Sequence, residues 1–89
     1  MKRISRTAHF KKDVKKMKKQ GKGFDVFKEV IQKLAIDGQL EEQFRDHKWR
    51  GDYVGTRECH VEPDWLLIYE ESEDELILVR TGTHSDLFG

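Results

Sequence analysis

The fold is decided by the stretch WLLIYEESEDELILVR, which spans residues 65–80. At its two ends, WLLIY at 65–69 is a continuous apolar run and LILVR at 76–80 is apolar up to Arg80. Such runs are typical of strands buried on both faces of a sheet. The acidic residues 70–75 between them predict a turn, so we expect a β-hairpin at the centre of the domain.

Two short amphipathic helices are predicted before this hairpin. Residues 8–20 form the first, with Thr7 as its N-cap and glycines after its last turn. Its apolar face is Phe10, Val14 and Met17, and the glycines are Gly21 and Gly23. Asp25 is the expected cap of the second helix, and Gly38 is expected just after its end. The second apolar stripe is Phe27, Val30, Ile31 and Leu34.

The rest of the chain completes an α+β domain. Residues 53–61 predict a third strand, residues 2–6 an edge strand if the sheet recruits them, and residues 81–89 a short turn or helical piece. The polar connection 40–50 has Phe44 and Trp49 as expected anchors. We therefore expect one domain over residues 1–89, with an N-terminal helical hairpin packed on an antiparallel sheet.

Charge is distributed unevenly along the 89 residues. The formal net charge is zero, but residues 1–22 contain ten Lys and Arg against one acid, so this segment carries +9 and the remainder −9. A basic segment of this kind is typical of contact with a phosphate-rich partner or with an acidic protein. A solvated helix face is the alternative interpretation of such a lysine run.

Composition also indicates the compartment. The single cysteine, Cys59, excludes an internal disulfide and fits a reducing environment. No apolar stretch approaches the roughly 20 residues that span a bilayer. The basic N-terminus is not followed by an apolar segment typical of a signal peptide. We expect a cytoplasmic protein with no membrane contact.

The histidines could belong to a metal site or to a Cys–His catalytic pair. Their spacing in the C-terminal half matches no compact ligand motif, and Pro63 separates His60 from Asp64, so we expect no metal and no cofactor. Cys59 and His60 are adjacent, and neighbouring side chains of a strand point to opposite faces. We therefore expect Cys59 to be buried and inert.

Acid–base cleavage of a phosphodiester is the remaining interpretation. It needs a base for the 2′-hydroxyl proton, an acid for the leaving 5′-oxygen and a cation for the phosphorane charge. Histidine suits the proton transfers, a carboxylate with a tuned pKa can replace it, and arginine suits the phosphate. His60, Asp64, Arg80 and His84 meet these requirements, with His47, Trp65 and Phe88 of suitable type. Taken singly, each of these residues is more often an ordinary structural residue.

Three pieces of the sequence carry a family resemblance. They are DHKWRG at 46–51, RECHVEPDWLLIY at 57–69 and RTGTHSDLFG at 80–89. Together they resemble the YafQ branch of the RelE-like toxins of bacterial toxin–antitoxin pairs, over nearly the whole chain. The N-terminal half resembles the family in pattern only.

The resemblance implies a microbial ribonuclease fold and metal-independent cleavage of mRNA in the ribosomal A site. It implies that His84 is the principal acid/base residue, that Asp64 and His60 are its proton-transfer partners and that Arg80 stabilises the transition state. His47 would bind or orient the phosphate, and Trp65 and Phe88 would shape the RNA-binding surface. The basic helix would contact ribosomal RNA, which we infer from its charge, through Lys12, Lys15, Lys16 and Lys19.

The resemblance also implies partners and one competing function. A cognate antitoxin would neutralise the toxin, and operator DNA would be bound only through that antitoxin. The alternative is a non-catalytic toxin on the same scaffold, similar to the ParE-type gyrase inhibitors, which lack this acid–base set.

Overall fold

The computed structural model describes residues 1–36, 47–48 and 56–88. Within these ranges the chain forms three helices and five strands, which confirms the predicted α+β class. In chain order they are β1 (Arg3–Arg6), α1 (Ala8–Lys19), α2 (Asp25–Ile36), β2 (His47–Lys48), β3 (Arg57–Glu62), β4 (Trp65–Glu71), β5 (Glu75–Gly82) and α3 (His84–Phe88). Among the described helices, none is long and apolar enough to cross a membrane.

The strands form one sheet in the order β1-β5-β4-β3-β2. The β3–β4–β5 meander is antiparallel, as predicted. Strand β2, which lies within the predicted polar connection 40–50, adds an antiparallel pair with β3, and β1 pairs with β5 in parallel. The sheet is therefore mixed rather than antiparallel. The difference arises because the chain passes through both helices and three strands between β1 and β5, a connection long enough to return in the same direction.

Strand β4 lies at the centre of the sheet and is its most buried strand. All five residues of WLLIY are buried, which confirms the prediction from the continuous apolar run. Trp65, Leu67 and Tyr69 join the core shared with the helices. Leu66 and Ile68 alternate with them and therefore point to the opposite face.

Strand β5 was predicted to be buried on both faces, but only one of its faces is fully buried. Leu76 and Leu78 are buried, whereas Ile77 and Val79 stay partly exposed. The turn before it is also shorter than the acidic run, covering residues 72–74, because both flanking glutamates join the strands. Glu71 accepts a bond from Lys2 Nζ at 3.1 Å and Glu75 one from Ser5 Oγ at 2.6 Å, so contacts with the N-terminal segment hold them there.

Helix α1 has the predicted ends and buries Phe10 and Met17 of the predicted face, whereas Val14 is only partly buried. Thr7 is its N-cap, since its Oγ1 accepts from the Phe10 N–H at 3.0 Å. The same hydroxyl donates to the Val79 carbonyl at 2.7 Å, which fixes the start of α1 to β5. Gly21, just beyond the helix, has a φ of 77°, which glycine adopts without strain.

Helix α2 buries the predicted stripe on the same side of the sheet. Phe27, Val30 and Leu34 are buried there and Ile31 is partly buried. The predicted cap was wrong by one position: Asp25 is the first helical residue, and the Phe24 carbonyl accepts the Lys28 N–H. Gly38, Phe44, Trp49 and residues 53–55 of the predicted third strand lie outside the described residues.

Helix α3 is short and is held by a reciprocal cap. The Thr83 N–H donates to Asp86 Oδ2 at 3.1 Å, and the Asp86 N–H donates to Thr83 Oγ1 at 3.1 Å. Asp86 Oδ1 also accepts from Lys16 Nζ at 2.6 Å, which connects α3 to α1. A Cβ atom at Gly82 would lie 3.0 Å from the Asp86 Cβ, so glycine permits this close approach.

The Lys16–Asp86 pair makes the stability of the fold depend on pH. The bond from Lys16 is the largest cause that lowers the pKa of Asp86 below its usual 3.8, with the Thr83 bonds adding to it. A carboxyl whose pKa is lowered by folding stabilises the native state above its unfolded pKa, and this contribution is lost as pH falls through the folded pKa. The loss therefore occurs below pH 3.8.

We expect Asp86→Asn to lower the free energy of unfolding at pH 6 by about 0.5–1 kcal/mol, as for an exposed ion pair. The difference from wild type should shrink towards zero as the pH falls well below the usual carboxyl pKa, because both proteins then lack the charge. Urea unfolding followed by tryptophan fluorescence measures both values. Glu73→Gln, in the exposed turn, is the control, and an Asp86→Asn difference that stays constant down to acidic pH would contradict the prediction.

Candidate active site

The candidate site lies where β4 begins and β5 ends. Because the two strands are antiparallel, with Leu66 opposite Gly82, the residues just before β4 and just after β5 become neighbours. Asp64 precedes β4 and His84 begins α3. Two residues twenty positions apart in the sequence are thus brought together by the hairpin.

His84 and Asp64 form a direct pair at this edge. Nδ1 of His84 lies 2.6 Å from Asp64 Oδ1, and the backbone N–H of His84 donates to the same oxygen at 3.0 Å. The side-chain bond from His84 is the largest cause that lowers the pKa of Asp64, followed by the backbone bond. The carboxylate is therefore ionised at neutral pH and only accepts, so Nδ1 carries the hydrogen of this contact and Nε2 is the ring nitrogen left for proton exchange.

Two more rings surround His84. The His60 ring, on β3, and the Phe88 ring, on α3, each have their centroid 6.0 Å from that of His84. His60 pairs with Leu66 across the β3–β4 ladder, on the sheet face opposite the helices, and its Nε2 lies 3.8 Å from Glu58 Oε1. The Phe88 side chain is half exposed at the end of α3, where an unpaired base could stack on it.

Arg80 belongs to the same face of the sheet. It lies opposite Ile68, which alternates with the core-facing Leu67, so its side chain leaves β5 on the His60 side. Its guanidinium is held by Asp13 of α1 in a two-bond contact, with Nε to Oδ2 at 2.9 Å and Nη2 to Oδ1 at 3.0 Å. The pairing therefore puts Arg80 on the sheet face that carries His60, with its guanidinium joined to the Asp13 carboxylate.

Asp13 was missed by the sequence analysis as a residue of the site. A signal was present, because it is the one acid among the ten basic residues of segment 1–22. It also lies at a helical position shared with Phe10 and Met17, on the buried face of α1, where a charged residue needs a partner.

Trp65, for which the resemblance implies a part in shaping the RNA-binding surface, lies in the core. Its side chain is fully buried, stacked on Phe27 at 4.9 Å and edge-on to Phe24 at 5.5 Å. Its indole N–H donates to Thr81 Oγ1 at 2.9 Å, so its polar atom is satisfied inside the core. The reason is the pleat of β4, which points Trp65 towards the helices while Asp64 stays at the open edge. Trp65 is a core residue whose loss would cost about 3–5 kcal/mol.

The other residues predicted for the site are the lysines of α1 and His47. The four lysines of α1 are exposed, and Lys16 also pairs with Asp86. For His47 the structure gives only its backbone in β2, opposite Glu58 of β3. Cys59 is buried in the core, as expected, next to but facing away from His60. In the described part of the chain, three or more His, Cys, Asp or Glu side chains do not gather as a metal site would require.

Comparison with known proteins gives the relatives of this chain. The family model described as the bacterial toxin of the type II toxin–antitoxin system, YafQ, matches residues 2–89. The mRNA interferase toxin YafQ of Escherichia coli K12 is 39% identical over 88 residues, covering 97% of this chain and 95% of the relative.

Solved structures agree with this match. The E. coli DinJ–YafQ toxin–antitoxin complex aligns with a TM-score of 0.91 at 37% identity, over 99% of this chain and 98% of that one. A metal-bound toxin from Helicobacter pylori aligns with a TM-score of 0.91 at 38% identity, over 99% and 100%. Sequence and fold therefore agree over nearly the whole chain, and it belongs to the YafQ family of toxins of bacterial type II toxin–antitoxin systems.

Proposed function

We propose that this chain is the toxin of a type II pair and an endoribonuclease that cleaves mRNA in the ribosomal A site. The observation that carries the proposal is the 2.6 Å contact between His84 Nδ1 and Asp64, with a second imidazole and a guanidinium on the same side of the sheet. The name of the E. coli relative, an mRNA interferase toxin, supports the substrate class. The protein acts in the cytoplasm, where ribosomes and mRNA are found.

The chemistry needs no more than the side chains of this site. Asp64 holds His84 with Nδ1 protonated, so that Nε2 exchanges the proton with the RNA. His60, 6.0 Å away between ring centroids, supplies the second imidazole that a two-proton reaction requires. One removes the 2′-hydroxyl proton as that oxygen attacks phosphorus, and the other protonates the leaving 5′-oxygen.

Arg80 and Phe88 complete the proposed mechanism. A guanidinium beside the phosphate stabilises the charge that grows on the equatorial oxygens as the 2′-oxygen attacks. Phe88, half exposed, gives a flipped or unpaired base a ring to stack on. Metal-independent acid–base cleavage is thus the mechanism we propose, although the H. pylori relative was solved with a metal bound.

The lysine face of α1 is proposed as the ribosome-docking surface. Lys12, Lys15 and Lys19 recur at spacings of three and four and are exposed, so they form one positive stripe. Ribosomal RNA offers closely spaced phosphates that such a stripe would neutralise. A cognate antitoxin is the second proposed partner, by similarity to the DinJ–YafQ complex, with operator DNA bound only through it.

Removal of the His84–Asp64 pair tests the catalytic proposal. We expect His84→Ala to slow cleavage of A-site mRNA by about 10²–10⁴-fold, the usual contribution of a general acid or base. Asp64→Asn should cause a decrease of similar size, since an amide can donate to Nδ1 and so favour the wrong tautomer. Primer extension on mRNA in programmed ribosomes, under single-turnover conditions, measures the rate.

Glu73→Gln, another exposed carboxylate removed, is the matched control and should cleave at the wild-type rate. Circular dichroism establishes that each variant is folded. A folded His84→Ala protein that cleaves mRNA at the wild-type rate would contradict the proposed nuclease mechanism. Growth arrest with intact ribosome-bound mRNA would instead favour the ParE-like binding toxin.

Salt dependence tests the docking surface. The double substitution Lys12→Gln, Lys15→Gln should weaken ribosome binding, and the slope of log affinity against log salt should fall by about 1 for each phosphate that is no longer neutralised. Co-sedimentation with ribosomes at several salt concentrations measures the slope. Lys28→Gln, Lys33→Gln on α2 removes the same charge elsewhere, so equal slopes for both pairs would show that α1 does not dock on the ribosome.

A further inference from the structure

Asp13 occupies an unusual place for a charged residue. It is the only acid in α1, whose sequence is AHFKKDVKKMKK, and it is 9% exposed. Its neighbours on that face, Phe10 and Met17, belong to the core. A buried carboxylate is costly unless charge and hydrogen bonds compensate it, so its partners identify what it does.

Three N–H groups from two residues converge on Asp13. Arg80 donates from Nε at 2.9 Å and from Nη2 at 3.0 Å, and the Thr81 backbone N–H donates to Oδ2 at 3.2 Å. The two bonds from Arg80 are parallel to each other, and each ends on a different oxygen of the carboxylate. This arrangement fixes the plane of the guanidinium as well as its position.

The topology explains why α1 delivers this carboxylate to β5. Strand β1 pairs with β5 only as far as Leu78, and the chain then turns into α1 at Thr7. Beyond Leu78, α1 replaces β1 at the edge of β5. The Thr81 N–H, which would donate to a neighbouring strand if β1 continued, donates to the Asp13 carboxylate. The adjacent residue, Arg80, is the one whose side chain lies on the site face.

We propose that Asp13 is a positioning residue for catalysis, which holds the Arg80 guanidinium in the orientation that meets the scissile phosphate. This inference rests on the proposed nuclease function. Asp13 binds the Nε–Nη2 edge, so Nη1 lies on the side of the guanidinium opposite the Asp13 carboxylate. An arginine without this contact would sample many rotamers, and the cation would be present but misaligned for most of the time.

A double-mutant cycle on the cleavage rate tests the proposal. Arg80→Ala should lower the single-turnover rate by about 10²–10³-fold. Asp13→Asn should lower it by about 10–100-fold, because its amide oxygen can keep the Thr81 bond but its NH₂ group opposes an Arg80 donor. In the Arg80→Ala background, Asp13→Asn should change the rate by no more than about twofold, since no guanidinium is left to orient.

Two measurements separate this role from a purely structural one. The RNA concentration for half-maximal rate should change little in Asp13→Asn, because the defect is in the reacting step. The Arg80 Nε–H resonance, assigned with Arg80→Lys, should be protected from exchange in wild type and lose that protection in Asp13→Asn. Glu71→Gln is the matched control: it removes the Glu71–Lys2 pair at 3.1 Å, at the far end of β4, and should keep the wild-type rate.

The outcomes distinguish the proposed mechanism from the positioning role. If Asp13→Asn slows cleavage equally with and without Arg80, Asp13 supports the fold alone and the positioning proposal is wrong. If Arg80→Ala cleaves like wild type, Arg80 has no part in the reaction, and the proposed mechanism fails at that residue together with this inference. Should Asp13→Asn not fold, Asp13→Glu enters the same cycle, since it keeps the charge but moves it by one methylene, and the same criterion applies.

Discussion

The antiparallel pairing of β4 with β5 is the constraint on which the rest of the molecule depends. It places β4 at the centre of the sheet and buries WLLIY on both faces. It also sets Leu66 opposite Gly82, so that Asp64 and His84 meet at one edge. A shift of register by one residue would turn the apolar side chains out of the core and separate this pair. Stability and the candidate chemistry therefore follow from a single ladder.

Helix α1 contributes to both sides of this arrangement. Its apolar residues Phe10 and Met17 pack in the core. Two other residues of the helix bind side chains near the candidate site: Asp13 binds Arg80, and Lys16 binds Asp86 of α3. Its outer face keeps the exposed lysines. One helix thus combines core packing, alignment of the site and a basic surface, because a 3.6-residue period distributes adjacent residues to different faces.

Much of the fold and part of the site could be predicted from particular residues. The apolar runs at 65–69 and 76–80 predicted the hairpin, and Thr7 predicted the start of α1, because both depend on local patterns. Three points could not be read locally. The parallel direction of β1 and the partial exposure of Ile77 and Val79 depend on distant neighbours, and the stacking of Trp65 on Phe27 depends on which face of β4 the helices cover.

The sequence by itself determined the elements, the α+β class and, through its resemblance to the YafQ toxins, the candidate residues of the proposed ribonuclease site. These follow from periodicity, capping and motif, which are local properties of the chain. Only the tertiary structure decided that His84 bonds to Asp64, that Trp65 stacks on Phe27 and donates to Thr81, and that Asp13 holds Arg80. The physical reason is that such contacts join residues 16 to 67 positions apart, and their geometry exists only after the sheet has adopted its register and α1 has packed on its edge.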